Sequence, residues 1–325
     1  MTNAAVFILT QCNDSRKIYL KTCLYFLFKY FNAKYKYPVV IFHEGDYDAK
    51  SQEEIFKSVR QSCRHLISFR QLDADDFKVP AHIDVNKAKR CINLNCTPYW
   101  RNLAYRNMCR WWLVHMPRYA ASYEYIMRID DDLFIEEEIK TDIIEDAAKT
   151  KQLYVSNMIH VDCPLCCYGF KELLCALVPQ KQKLIEGFFQ KQEVPSIAHQ
   201  LNGLRSLMTI APIVDGPVGE KITLWSPVMN YNNFHITASA FWMREDVQKL
   251  INAIDQSGLI YYYRLGDSPV QSAVTMLLAK PEELGRTRFR YSKRLQRECH
   301  HGNDGVVHSY MPGTYTKSSD VTEEL

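Results

Sequence analysis

Short apolar runs and helix-like stretches alternate along the first third of the chain. Ala4-Ala-Val-Phe-Ile-Leu9 is a continuous apolar run that ends in the polar loop Thr10 to Ser15, which predicts a buried strand running out of a sheet. Residues 16–34 carry helix formers and aromatics, and Pro38-Val-Val-Ile-Phe42 predicts a second buried strand ending at His43-Glu-Gly-Asp46. A helix is expected over 50–63 and a third strand over His65-Leu-Ile-Ser-Phe69. This alternation is the signature of a parallel sheet covered on both faces, which binds ligands at the carboxyl ends of its strands. No GxGxxG or GxxxxGK[ST] follows any of these strands, so neither a dinucleotide fingerprint nor a P-loop is present.

Further along, residues 99–116 form a helix dense in aromatics and arginine, and Tyr123-Glu-Tyr-Ile-Met-Arg-Ile129 is a strand that runs into Asp130-Asp-Asp132 and on through Leu133-Phe-Ile135. Another strand is expected over 153–159 and an extended pattern over His235 to Met243, with the poorly periodic stretch 160–230 between them. With no repeat or low-complexity block to divide it, the chain is expected to form one domain over 1–312. The stretch of about 160–230 is read as an insert able to shape a substrate pocket, and 313–325 as a mobile tail.

At 325 residues and 47% hydrophobic content the chain can bury a large core, and 24% charged residues exclude the disordered and collagenous classes. A formal charge of +3 is too small for a general grip on nucleic acid. The 11 cysteines are odd in number and show no framework; Cys163-Pro-Leu-Cys166-Cys167 lacks a second CxxC at zinc-finger spacing. Reduced thiols in a reducing compartment are expected. The apolar stretch Cys23 to Phe28 falls far short of the roughly 20 residues a membrane span needs, and Met1 leads straight into a strand without a signal-peptide pattern. A soluble cytoplasmic protein is the expectation, or a Golgi-lumenal one if the chain is trimmed.

The sharpest chemical signal is the triple aspartate at the end of a buried strand. Alternation sends Asp130 and Asp132 to one side, where two carboxylates can share a hard divalent cation with positions left over for a diphosphate. Gly266-Asp267-Ser268-Pro269 announces a helix start: Ser268 as N-cap, Pro269 at the first helical position and Gln271 completing a capping box. That leaves Asp267 just outside the helix, either complementing its dipole or aimed into a cleft. Tyr261-Tyr-Tyr263 could wall a sugar site. Six basic residues and no acidic one lie between Arg286 and Arg297, a segment able to grip a diphosphate, and His300 and His301 follow as candidates to complete a metal site.

Several of these residues lie in blocks whose order and content resemble the fungal Golgi α-1,2-mannosyltransferases of glycosyltransferase family 15. The blocks are Phe31-Asn-Ala-Lys-Tyr-Lys-Tyr-Pro38, Tyr105-Arg-Asn-Met-Cys-Arg110, Tyr125-Ile-Met-Arg-Ile-Asp130 against the family's YWRVEP segment, and Tyr261-Tyr-Tyr-Arg-Leu-Gly-Asp-Ser-Pro-Val270 against YYERWGDAPV, within a resemblance running from about Ala4 to Cys299. It implies an α/β GT-A fold, a Rossmann-like mixed sheet with helices on both faces in a single domain. It further implies a nucleotide-diphosphate sugar donor, Mn2+ (or Mg2+), and transfer with retention to a hydroxyl of a glycan or glycoprotein. The charge and hydropathy read above add the expectation of no nucleic-acid partner and no membrane span, which sets this chain apart from the membrane-tethered members.

In that frame Asp130 falls on the family's metal-binding glutamate and Asp267 on its aspartate near the reaction centre. Asp130 and Asp132 with His300 or His301 are the expected metal ligands; Asn13, Arg110, Arg128, Asp131, Lys293 and Arg294 are the expected donor contacts; Asp267 and His235 are the expected catalytic pair. Three departures stand out. Asp130-Asp-Asp132 replaces the family's Glu-Pro and looks like the DxD of other GT-A enzymes. The glutamate of the family's NFEI segment is His235 in Asn233-Phe-His-Ile236, and the family's metal histidine aligns with about Lys293, so that either His300 or His301 substitutes for it or the basic segment takes over part of a metal's work. A catalytically altered binding protein of the same fold and a metal-dependent phosphoesterase are the rival readings.

Overall fold

The computed structural model describes residues 2–94, 101–195, 221–293, 299–301 and 307–309. The apolar runs become β1 (Ala4–Leu9), β2 (Val39–His43), β3 (Ile67–Gln71) and β4 (Tyr125–Ile129), which run parallel to one another. After the aspartates come β5 (Leu133–Ile135), β6 (Tyr154–Ser156), β7 (Ile159–Val161), β8 (Phe189–Pro195), β9 (Lys221–Asn230) and β10 (Phe234–Ala238). Short strands β11 (Leu284–Arg286), β12 (Tyr291–Lys293), β13 (Cys299–His301) and β14 (Val307–Ser309) close the series. The central sheet has seven strands in the order β11-β6-β10-β4-β1-β2-β3.

The sheet is mixed rather than purely parallel, because β10 lies antiparallel between β4 and β6. β10 is the run-on of β9: β9 lies antiparallel to β7, which follows directly on β6, and the chain passes through 231–233 without reversing, so β10 meets β6 antiparallel in its turn. The extended pattern expected as far as Met243 stops at Ala238, and Ser239–Trp242 is helical.

Alternation along the strands feeds two cores. Ala5, Phe7, Val40, Phe42 and Ile126 face Trp111, Trp112 and Phe241 on one side of the sheet. Val6, Ile8, Ile41, Met127 and Ile129 face Leu20, Leu24, Phe28 and Phe134 on the other. The first side is covered by a helix over 103–120 that widens to a π-turn at Trp111–His115. Pro117 follows within that helix; its ring crowds the carbonyl four residues back, and the Met116 N–H reaches the Trp111 carbonyl instead. Among the described residues no helix is long and apolar enough to cross a membrane, and Cys12, Cys23, Cys63, Cys109, Cys163, Cys166, Cys167 and Cys175 form no disulfide among them.

The stretch 160–230 is structured where it is described. Helices Phe170–Leu177 and Gln182–Phe188 pack beside a second, three-stranded sheet ordered β7-β9-β8. The last helix before the basic segment starts earlier than its sequence suggests, spanning Asp267–Leu278 with Gly266 as N-cap and no side-chain cap. Ser268 does not cap: its hydroxyl donates to the Asn230 carbonyl at 2.6 Å, tying the helix to the end of β9. Asp267 therefore occupies the first turn.

Candidate active site

The acidic tip sits where β4 leaves the sheet. The Asp130 N–H donates to the Asn233 carbonyl at 2.9 Å, fastening the tip to the β9–β10 turn. Asp130 and Asp132 line a cleft of about 770 Å³, as the strand alternation requires. Asp131 turns inward and is fully buried, accepting from the Thr10 hydroxyl at 2.6 Å and pairing with Arg16. Burial pushes the Asp131 carboxyl up to about 7, with Arg16 opposing that rise and Asp132 adding to it.

A buried arginine joins the two halves of the cleft. Arg128 leaves β4 on the Trp112 side, its guanidinium 4.0 Å from the indole centroid. Nη1 donates to Asp267 Oδ2 at 2.5 Å, while Nε and Nη2 donate to Asp130 Oδ1 at 3.2 and 3.1 Å. Burial works against the cation, yet Asp267 and Asp130 raise its pKa above the ordinary arginine value. Asn232 on the β9–β10 turn donates to the same Asp267 oxygen at 2.8 Å and to Gln271 at 2.9 Å. The Asp267 carboxylate is thereby fixed by one charged and one neutral donor.

Lys293 reaches the tip through strand register. β5 begins directly after Asp132, and β12 pairs with it antiparallel so that Lys293 lies opposite Leu133. The ammonium stands 3.0 Å from Asp130 Oδ2, 3.6 Å from Asp132 Oδ1 and 3.4 Å from the Tyr231 hydroxyl. Burial opposes this charge, but Asp132, Tyr231 and Asp130 hold the ammonium pKa well above its usual value. Burial likewise opposes ionisation of Asp130, which Lys293 and Arg128 nevertheless keep below the ordinary carboxylate range. Across the cleft Arg264, in the left-handed region at φ 65°, holds Asp162 at 3.3 Å.

The expected site residues divide accordingly. Asp130, Asp132, Arg128, Asp267 and Lys293 come together on the cleft. Asp131 lies behind it as a brace between β1, the first helix and the tip. Asn13 caps the helix Asp14–Leu27, accepting from the Arg16 N–H at 3.0 Å, and is not a cleft residue. Arg110 is committed elsewhere, donating to Asp255 at 2.9 Å. Arg294 and the side chains of His300 and His301 lie outside the described residues. Sequence reasoning missed Arg16, Arg264, Tyr231 and Asn232. Arg16 had a signal, since it follows the loop at the carboxyl end of β1, where such sheets bind ligands.

His235 is not in the cleft. It pairs with Arg128 across β10 and β4, is completely buried, and stacks on Tyr154 with ring centroids 4.8 Å apart. Burial, with Arg128 adding to it, pushes its pKa down to about 3, and Nε2 has no hydrogen-bond partner among the described residues. It stays neutral when folded. Between about pH 6.5 and pH 3 the unfolded chain binds a proton that the folded chain refuses, so stability falls as the solution is acidified. His235→Phe keeps the ring stack and removes the titration. Relative to its own value at pH 7.5, the variant should lose about 2 kcal/mol less than wild type on going to pH 5. Urea unfolding at the two pH values measures this, and equal losses would refute it.

Comparison with known proteins decides the family. The family described as "Glycolipid 2-alpha-mannosyltransferase" matches residues 1–304. The chain belongs to glycosyltransferase family 15. Two curated family 15 relatives are the O-glycoside alpha-1,2-mannosyltransferase omh1 of Schizosaccharomyces pombe, 23% identical over 286 residues, and the probable mannosyltransferase KTR3 of Saccharomyces cerevisiae, 25% identical over 265. The matches cover 86% and 78% of this chain but 66% and 57% of those proteins, so the chain spans less than two thirds of their length. Among solved structures, the mannosyltransferase Ktr4p of S. cerevisiae in complex with GDP matches with a TM-score of 0.70 at 17% identity, covering 98% of this chain and 79% of that one. Core-mannan synthase A of Aspergillus fumigatus, in a Mn/GDP form, matches with a TM-score of 0.71 at 17% identity, covering 99% and 82%. These likenesses establish the GT-A fold.

Family 15 membership carries the expectation of a divalent cation, and the described side chains do not fit one. The oxygens of Asp130 and Asp132 that would chelate it already face the Lys293 ammonium. A dication about 2.0–2.6 Å from both oxygens would have to share that space with a positive charge. Among the described residues no group of three His, Cys, Asp or Glu side chains is placed to hold an ion.

Proposed function

We propose that this chain transfers a hexose, mannose by analogy with the relatives' names, from a nucleoside-diphosphate donor to a glycan hydroxyl with retention of configuration. The observation that carries this reading is the Arg128 bridge, which sets the acidic tip and Asp267 on either side of one cleft whose lining combines five Lys and Arg side chains with four aspartates. Such a wall accepts an anion without being uniformly basic.

A second hollow of about 310 Å³ adjoins the first and shares Arg16, Arg101, Tyr105 and Met108 with it. It opens at the carboxyl ends of β1 and β2, where Thr10, Gln11 and Glu44 offer hydrogen-bonding groups to a nucleoside. The diphosphate then lies along Arg16 toward Lys293, and the sugar faces Asp267. The stretch 160–230 supplies His160, Asp162 and Gln192 to the opposite wall, the side we assign to the acceptor.

In the reaction the bond from C1 to the β-phosphate oxygen breaks and its electron pair leaves on the diphosphate. The acceptor oxygen bonds C1 on the same face, and its proton passes to the departing phosphate oxygen. The Asp267 carboxylate, held by Arg128 and Asn232, stabilises positive charge developing at C1. Burial of His235 removes it as a base at the acceptor, which favours this front-side course over inversion.

The test is incubation of the full chain with a panel of GDP- and UDP-sugars and methyl α-mannoside, with product configuration read by NMR. An α-linked product from GDP-mannose is expected. A β-linked product would overturn retention, and no turnover with any donor would overturn the enzyme reading in favour of a binding protein.

A further inference from the structure

Resting on the donor-site reading above, we infer that Lys293 takes the place of the divalent cation, so that this glycosyltransferase binds and releases its nucleoside diphosphate without a metal. Lys293 is the hub of the acidic tip: its ammonium addresses one oxygen of Asp130, one of Asp132 and the Tyr231 hydroxyl, at 3.0, 3.6 and 3.4 Å. Those are the carboxylates that a DxD motif would turn toward its cation. The placement is built into the backbone, since the register of β12 on β5 sets Lys293 against the residue that follows Asp132.

The other cationic side chains make the substitution workable. One ammonium carries half the charge of a dication, but Arg16 reaches Asp131 and Asp132 from the first helix, and Arg128 holds Asp130 and Asp267 from β4. Arg16, Arg128 and Lys293 all line the cleft. As the C1–O bond breaks, charge accumulating on the diphosphate meets Lys293 and Arg16 through N–H donors. The aspartates keep these cations in place rather than chelating an ion. Burial from water strengthens each of these attractions.

Calorimetric titration of the full chain with GDP, in EDTA and in MnCl2, tests the inference. Wild type should bind GDP with the same affinity within about twofold in both. Lys293→Ala should weaken binding in EDTA about tenfold or more, while Lys293→Arg, which keeps the charge, should stay within a few-fold of wild type. Lys293→His should bind GDP weakly in EDTA and recover in Mn2+, because a neutral imidazole beside two carboxylates is a metal ligand. A tenfold or larger gain in wild-type affinity on adding Mn2+, reversed by chelation, would overturn the inference and leave the donor site intact. That comparison stands even if the alanine variant does not fold. Failure to bind GDP or UDP under either condition would instead overturn the donor site itself, and the role of Lys293 with it.

Discussion

Asp267→Asn should lower kcat for sugar transfer by about 10²–10³-fold while changing nucleotide affinity by no more than about threefold. The amide matches the carboxylate in shape and can still accept from Arg128, so the cleft should keep its form. In the proposed reaction the lost negative charge is the one set against C1 as it turns cationic. The alternative is that Asp267 only complements the dipole of the helix it begins, where such a charge contributes about 0.3–1 kcal/mol to stability and nothing to turnover. Steady-state kinetics beside GDP titration separates the two. An unchanged kcat would reduce Asp267 to a helix-terminus residue.

Arg128→Met carries the largest stability effect. Arg128 is 2% exposed, and its removal leaves buried Asp267 without its cation while Asp130 keeps only Lys293. Removing one partner of a buried ion pair costs about 3–5 kcal/mol, because the remaining charge stays buried and uncompensated. The double variant Arg128→Met/Asp267→Asn should recover part of that loss, since one orphaned charge is gone, and its ΔΔG should fall well short of the sum of the two singles. Urea denaturation of all four proteins measures the coupling. A loss below about 1 kcal/mol for Arg128→Met, or strict additivity, would show that the bridge is not coupled to the fold.

Much of the fold was written in local pattern. Continuous apolar runs bounded by polar turns gave β1 residue for residue, and β2 and β4 within two residues. Pattern cannot give direction, however. His235 to Met243 reads as extended whichever way it runs, and the direction of β10 is set by β9, which lies antiparallel to β7 and runs on into it. The acidic tip was legible because three carboxylates between apolar strands demand cations. Which cations was not, since Arg16 and Lys293 arrive from 115 and 163 positions away in the chain. Lys293 was one of six basic residues in its segment, and the register of β12 alone singles it out. His235 looked catalytic by its place in a family segment, but the strand turns it onto Tyr154 beneath the cleft. The early start of the helix at Asp267 was hidden because Ser268 spends its hydroxyl on Asn230, a partner 38 positions away.

The position of β10 also governs how the molecule is made. As the chain leaves the ribosome, β1 to β4 can assemble as they emerge, but the edge of β4 stays open until residues 234–238 are synthesised. β6 has no route into the sheet except through that same late strand, and β11 joins only by way of β6. A nascent or truncated chain ending before residue 234 therefore displays a bare, apolar sheet edge, the kind of surface that recruits chaperones or other unfinished copies.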